Sequence, residues 1–167
     1  MAAPGPTRIF SGPTVAAETR SPRPCRPTDA DDVTEACQGA ETLRWLPLPQ
    51  PYSRADAEWF IGTFGPGQRE SGAGIVFAIE SAGRLAGAID LKQVNWAARV
   101  AEPGYWVAPG ARGRRVAAQA ARLLSEWAIR DPGLDPVRLV APSGSPRSQR
   151  RPGTAVFGRG GWAHAVG

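Results

Sequence analysis

One stretch limits the folds open to this chain more than any other: Ala101-Glu-Pro-Gly-Tyr-Trp-Val-Ala-Pro-Gly-Ala-Arg-Gly-Arg-Arg-Val-Ala117. Glu102–Val107 is aromatic-rich and β-prone, and Pro109-Gly110 stops it. A helix is expected from about Arg112 to Arg130, with Val116, Ala120, Leu123, Leu124, Trp127 and Ala128 on one apolar stripe. A strand therefore runs through a Gly- and Arg-rich turn into a helix. Such a turn aims several backbone N–H groups at one point, and the helix dipole adds about half a positive charge there. Gly113 lets an anion approach the chain closely, and Arg112, Arg114 and Arg115 add charge. A nucleotide phosphate suits this turn; a solvated helix end with exposed arginines is the plainer alternative.

Charge is distributed to match. Of 20 basic and 15 acidic residues, ten bases and only three acids lie from Ala111 onward. A basic C-terminal third fits a phosphate-bearing ligand or a solvated arginine surface. No nucleic-acid-binding pattern accompanies it, so nucleic acid is not an expected partner. His164 is the sole histidine and no CxxC pair occurs, which argues against a metal site or a histidine-based triad. Cys25 and Cys37 are expected to be free thiols. No apolar run of about 18 residues and no apolar N-terminal signal core occur, so a cytoplasmic protein away from membranes is expected.

Upstream, residues 1–20 read as a loose tail, and 21–167 as a single domain. Arg20–Pro27 has room for a short edge strand. Thr28 with Asp31 fits a capping box opening a helix with Val33, Ala36, Cys37 and Ala40 on its apolar face. Leu43–Pro51 is expected to be a loop, because Pro47, Pro49 and Pro51 exclude helix. Ser53 with Asp56 forms a second capping box. The helix it opens turns Ala57, Phe60, Ile61 and Phe64 inward and is expected to end at Gly65-Pro66-Gly67. Gly74–Glu80 and Leu85–Lys92 form a hairpin around Ser81–Arg84, and Val137–Ala141 is a last short strand. The class is α+β with a mixed sheet, its final β–α–β unit parallel and right-handed.

Taken together, Glu102–Pro109, Ala111–Ala117, Arg26–Asp32, Glu41–Trp45, Pro51–Ala57 and Gly83–Gly87 resemble, in order, the motifs of GNAT acetyltransferases. They are similar especially to the branch of ribosomal-protein alanine acetyltransferases. The resemblance spans roughly residues 20–150. It implies a mixed, mostly antiparallel sheet flanked by helices, with a parallel, splayed strand pair after the acetyl-CoA motif. It further implies an N-acetyltransferase that moves an acetyl group from acetyl-CoA to a primary amine by direct attack in a ternary complex. The acceptor is a protein N-terminus or a small-molecule amine, and the protein a monomer or homodimer.

Residue by residue, the resemblance makes Glu102 the base and Ser148 the hydroxyl that meets the CoA sulfur; an exposed strand glutamate and a helix N-cap serine are their plainer readings. Trp106, Val107, Arg112, Gly113, Arg114, Arg115, Val116, Ala117 and Ser145 would hold the cofactor. Arg44, Trp45, Tyr52 and Tyr105 would face the acceptor; loop packing is the plainer reading of the first three. Tyr105 and Trp106, being adjacent, should face opposite sides of the sheet. The sequence departs from the family at two places. Gly110 and Arg115 stand at the ends of the phosphate turn, so the Arg115 side chain must point outward. Ser145 replaces an asparagine, and Pro152 and Gly153 fall where a helix should run, so residues 151–167 are atypical. A helix of at most about one turn is expected after Ser148, which leaves a second reading open: a degenerate, catalytically weak domain that still binds acyl-CoA.

Overall fold

The computed structural model describes residues 22–113, 115–130 and 134. Its centre is an antiparallel sheet of order β1-β2-β3-β4, formed by Pro22–Arg23, Ile75–Ser81, Arg84–Asn95 and Val100–Val107. β1 is short because Pro24 has no N–H to continue the ladder. Beyond it Arg23 turns to Asp29, both guanidinium Nη atoms standing 2.8 Å from the carboxylate, and also meets Glu80.

Asp29 is buried and accepts in addition from the Arg26 N–H at 2.7 Å. It therefore closes the turn before helix α1 (Ala30–Cys37), where the sequence pointed to Thr28 and Asp31. Asp31 instead pairs with Arg54 of the third helix. Burial raises the Asp29 pKa, but Arg23 and the Arg26 N–H outweigh it and hold the carboxyl below its usual range.

α1 buries Val33, Ala36 and Cys37 as expected, then breaks at Gly39, so Ala40 opens a second helix and is exposed. That helix, α2 (Ala40–Trp45), includes residues expected in a loop. The prolines act only from Pro47, forcing Leu46 extended at ψ 135° and leaving the turn before it free to coil. Ser53 and Asp56 form the expected capping box at α3 (Arg54–Trp59). The chain does not stop at Gly65-Pro66-Gly67. It widens to a π-turn over Phe60–Phe64 and continues as α4 (Gly65–Ser71). The shifted bonding, Gly65 N–H to Phe60 carbonyl, puts Pro66 in the first turn of a new helix, where its missing N–H is harmless. Gly72, at φ 72°, ends it.

Side-chain alternation divides two cores. Ile75, Phe77, Ile79, Ile89 and Leu91 pack under helix α5 (Val116–Arg130) with Val116, Ala120, Leu124 and Ala128. Leu123 and Trp127, expected in the buried stripe, are half-buried at its margin, Trp127 standing edge-on to Phe77. On the other face Ala78 and Leu85 meet Val33, Cys37, Tyr52, Ala57 and Ile61. The class is thus α+β, with an antiparallel sheet between helical layers. The strand Val137–Ala141, and with it the expected parallel pair, lies outside the described residues, as do the tail 1–20 and the atypical stretch 151–167. Among the described residues no helix is long and apolar enough to cross a membrane.

β4 lies unusually close to β3 at Gly87, where a Cβ would fall 2.2 Å from the Trp106 carbonyl oxygen and 3.1 Å from Val107 Cα. Glycine is weak in a strand interior, so relief of that weakness would favour Gly87→Ala. The backbone clash should reverse the sign. Gly87→Ala is expected to lose at least ~2 kcal/mol, as overpacking does, measured by urea denaturation. A neutral or stabilising result would show that β4 does not need this approach.

Candidate functional site: the end of β4 and the turn into α5

The β3–β4 ladder ends with the Ala108 N–H on the Ala86 carbonyl at 2.8 Å. A 3-10 turn over Pro109–Ala111 follows, then Arg112 is extended, Gly113 lies at φ 77° and Arg115 at φ 58°. The helix expected from Arg112 begins only at Val116, because these two left-handed residues intervene. The first intrahelical bond runs from Gln119 N–H to the Arg115 carbonyl. Helix geometry therefore leaves the N–H groups of Val116, Ala117 and Ala118 without intrahelical acceptors. They stand at the positive end of the α5 dipole. Gly113 has open space where a Cβ would stand, and Arg115 is exposed, its side chain outward as expected. Arg114, Ser145 and Ser148 lie outside the described residues.

Arg112 is differently engaged. Its Nε donates to the Val107 carbonyl at 3.2 Å, Nη2 to the Thr42 hydroxyl at 3.3 Å, and Nη1 pairs with the Glu41 carboxylate. Its guanidinium thus joins the end of β4 to α2, and sequence reasoning had no local signal for this, since the partners lie some seventy residues upstream.

Tyr105 and Trp106 take opposite faces as predicted. Tyr105 packs on the α5 side and Trp106 against the α1–α3 core, both half-buried. Trp106 shares its face with Gly104 and Glu102, and register places these opposite Ala88, Asp90 and Lys92 of β3. The result is a polar notch. Lys92 Nζ stands 3.5 Å from the Glu102 carboxylate. A Cβ on Gly104 would fall 2.4 Å from Asp90 Oδ1, so the glycine makes room for that carboxyl. Burial pushes the Asp90 carboxyl above its usual range; Lys92 and the Gly104 N–H oppose this, and Glu102 adds to it. Two carboxyls and one ammonium set this close together on one sheet face can exchange a proton. Sequence reasoning singled out Glu102 but missed Asp90, Lys92 and Gly104. The available signal was an acid interrupting the apolar run Leu85–Leu91.

The expected acceptor residues separate. Arg44 is exposed on α2, and the Trp45 backbone ends that helix. Tyr52 is a packing residue: it is 5% exposed, its hydroxyl bonded to the Cys37 thiol, and burial raises both pKa values, that of Cys37 to about 11. Both cysteines are free.

A family model described as "Acetyltransferase (GNAT) domain" matches residues 23–151. Among solved structures, a probable acetyltransferase is 27% identical, with TM-score 0.58, covering 68% of this chain and 65% of its own. RimJ of Mycobacterium smegmatis, in complex with CoA-disulfide, is 22% identical with TM-score 0.64, covering 75% and 64%. The microcin C7 self-immunity acetyltransferase MccE, in complex with acetyl-CoA and AMP, is 16% identical with TM-score 0.61, covering 68% and 63%. The chain thus spans slightly under two thirds of the length of these relatives. No curated protein matches it.

A folded-state pKa above the ordinary one means that the folded protein holds a proton the unfolded chain releases. Asp90 therefore favours folding below its raised pKa and loses that advantage as pH rises through it. Asp90→Asn should raise the melting temperature at about pH 8, with the gain shrinking toward about pH 4. A gain that is equal at both ends, or absent, would contradict the buried, strained carboxylate.

Proposed function

The chain belongs to the GNAT acetyltransferase family, and from that premise we propose that it transfers an acetyl group from acetyl-CoA to a primary amine by direct attack in a ternary complex. The observation that carries this reading is the turn after β4, where the N–H groups of Val116–Ala118 converge at the start of a 15-residue helix. They suit the cofactor's pyrophosphate, with Gly113 leaving room and Arg114 and Arg115 adding charge. Acetyl-CoA and CoA-disulfide bound by relatives of the same fold support the same ligand. Trp106, Val107 and Ser145 would flank the pantetheine arm. The free Cys25 and Cys37 suit a reducing compartment such as the cytoplasm.

The incoming amine must lose its proton as it attacks the thioester carbon. Glu102, on the face shared by Trp106 and the notch, takes that proton. The C–S bond breaks as the amide forms, and the CoA thiolate leaves toward the Ser148 hydroxyl. Lys92 pairs with Glu102 and holds its carboxylate in place. A protein N-terminus or a small-molecule amine would approach past Arg44 and Trp45, on the side of the sheet that carries Glu102; Tyr105 lies on the other face. Pro152 and Gly153 favour the second reading, a domain that binds acyl-CoA but turns over weakly.

Acetyl-CoA at about 100 times its Kd should stabilise the fold by about 2.7 kcal/mol, read as a rise in melting temperature. No shift at millimolar ligand would sink both readings. Glu102→Gln should lower kcat by about 100-fold, the usual weight of a general base, in a thiol-release assay over an amine panel. Acetyl-CoA affinity should stay unchanged. Equal turnover in variant and parent would remove Glu102 from the mechanism.

A further inference from the structure

Arg112 lies in the turn assigned above to the cofactor, but its three nitrogens are already directed elsewhere. Nε holds the carbonyl of Val107, the last residue of β4; Nη2 holds the hydroxyl of the buried Thr42; Nη1 holds Glu41. A planar, three-way fork of this kind suits arginine and not lysine. Helix α2 has reason to need it. It has six residues, far below the length of about 12 at which an isolated helix holds in water. Its N-cap glycine also faces the same turn: a Cβ on Gly39 would touch Pro109 Cγ at 3.8 Å.

The geometry points to Arg112 as a positioning residue that seats α2, and the acceptor side of the site with it, on the end of β4, while the cofactor's phosphates are left to backbone N–H groups and neighbouring arginines. This rests on the acetyltransferase reading for its kinetic arm and on acetyl-CoA binding for its calorimetric arm; the exchange arm needs neither. Three of its five N–H groups are taken by these partners, and a guanidinium that swung over to meet a phosphate with two N–H groups at once would give up contacts to Glu41, Thr42 or the β4 carbonyl. The arrangement therefore assigns affinity for the two substrates to different parts of one turn.

The test uses the full-length chain and its Arg112→Gln, Arg112→Lys and Glu41→Gln variants. Arg112→Gln is expected to leave the acetyl-CoA Kd within about 3-fold by calorimetry, and to raise KM for the amine by about 10-fold, one tenfold step per 1.4 kcal/mol. Glu41→Gln should move the amine KM the same way, and Arg112→Lys should fail to rescue it. Hydrogen exchange across residues 40–45 should quicken in Arg112→Gln without any ligand present. The opposite pattern overturns the inference: weaker acetyl-CoA binding in Arg112→Gln, recovered by lysine, with tighter binding in Glu41→Gln. Unchanged exchange across α2 overturns it as well. An absence of acetyl transfer in the parent would defeat the acetyltransferase reading alone, because the calorimetric and exchange arms need no acceptor.

Discussion

The site depends first on the close approach of β3 and β4 at Gly87. With no side chain there, the Trp106 carbonyl comes within what would be clashing distance of a Cβ. That contact fixes the register of β4, and a slip of one residue would exchange the faces of every side chain on the strand. In the observed register Trp106 goes to one core and Tyr105 to the other, Glu102 meets Lys92, and Gly104 lies over Asp90. The Ala108 N–H then closes on Ala86 and releases the chain into the turn that starts α5. The Glu102–Lys92–Asp90 cluster and the amides at the start of α5, the groups proposed for proton transfer and anion binding, thus both depend on how β4 lies against β3.

The same strand pair shows where the fold gives up stability. On the α5 side β3 buries Ile89 and Leu91 in the larger core. On its other face the small Ala88 is followed by Asp90 and Lys92. A carboxyl held above its ordinary pKa by burial is a cost that a hydrophobic residue would avoid. The Arg23–Asp29 pair is the contrasting case. There two Nη contacts and a backbone N–H compensate the buried carboxylate, and it ties β1 to α1. One buried acid is fully partnered and structural. The other sits beside a second carboxyl on the face where proton transfer is proposed, the kind of place where perturbed groups collect.

Much of the architecture was legible in the sequence because it is local. The Ser53–Asp56 capping box, the hairpin through Ala82 and Gly83, the aromatic β4 and the stripe on α5 each follow from residues within a few positions of one another. Most of the misses came from partners that the local pattern does not name. Asp29, not Asp31, closes the turn before α1 because Arg23, across the β1 corner, recruits it. Gly65-Pro66-Gly67 has the composition of a stop, but packing of Ile61 under the sheet carries the helix through on a π-turn. Tyr52, placed at the acceptor by the resemblance with loop packing as the plainer reading, is buried against Cys37. At the site, Glu102 could be named from the motif, whereas Asp90 and Lys92 become its neighbours only through strand register.

Charge illustrates the same division more sharply. The excess of arginine after Gly110 is visible from composition and suggests a phosphate-bearing ligand. Composition does not say what each guanidinium holds. Arg112 is committed to β4 and α2, and Arg122 pairs with Glu126 one turn further along α5. Side-chain cations can be drawn off in this way by any carboxylate the fold brings near. The N–H groups of Val116, Ala117 and Ala118 cannot: helix geometry directs them outward from the start of α5, whatever the neighbouring side chains do. They are also held by the Val116, Ala120 and Leu124 packing of that helix against the sheet. The dependable part of the phosphate site proposed on this turn is therefore the backbone. A basic composition marks its neighbourhood, and the strand-to-helix geometry sets where an anion would meet the N–H groups.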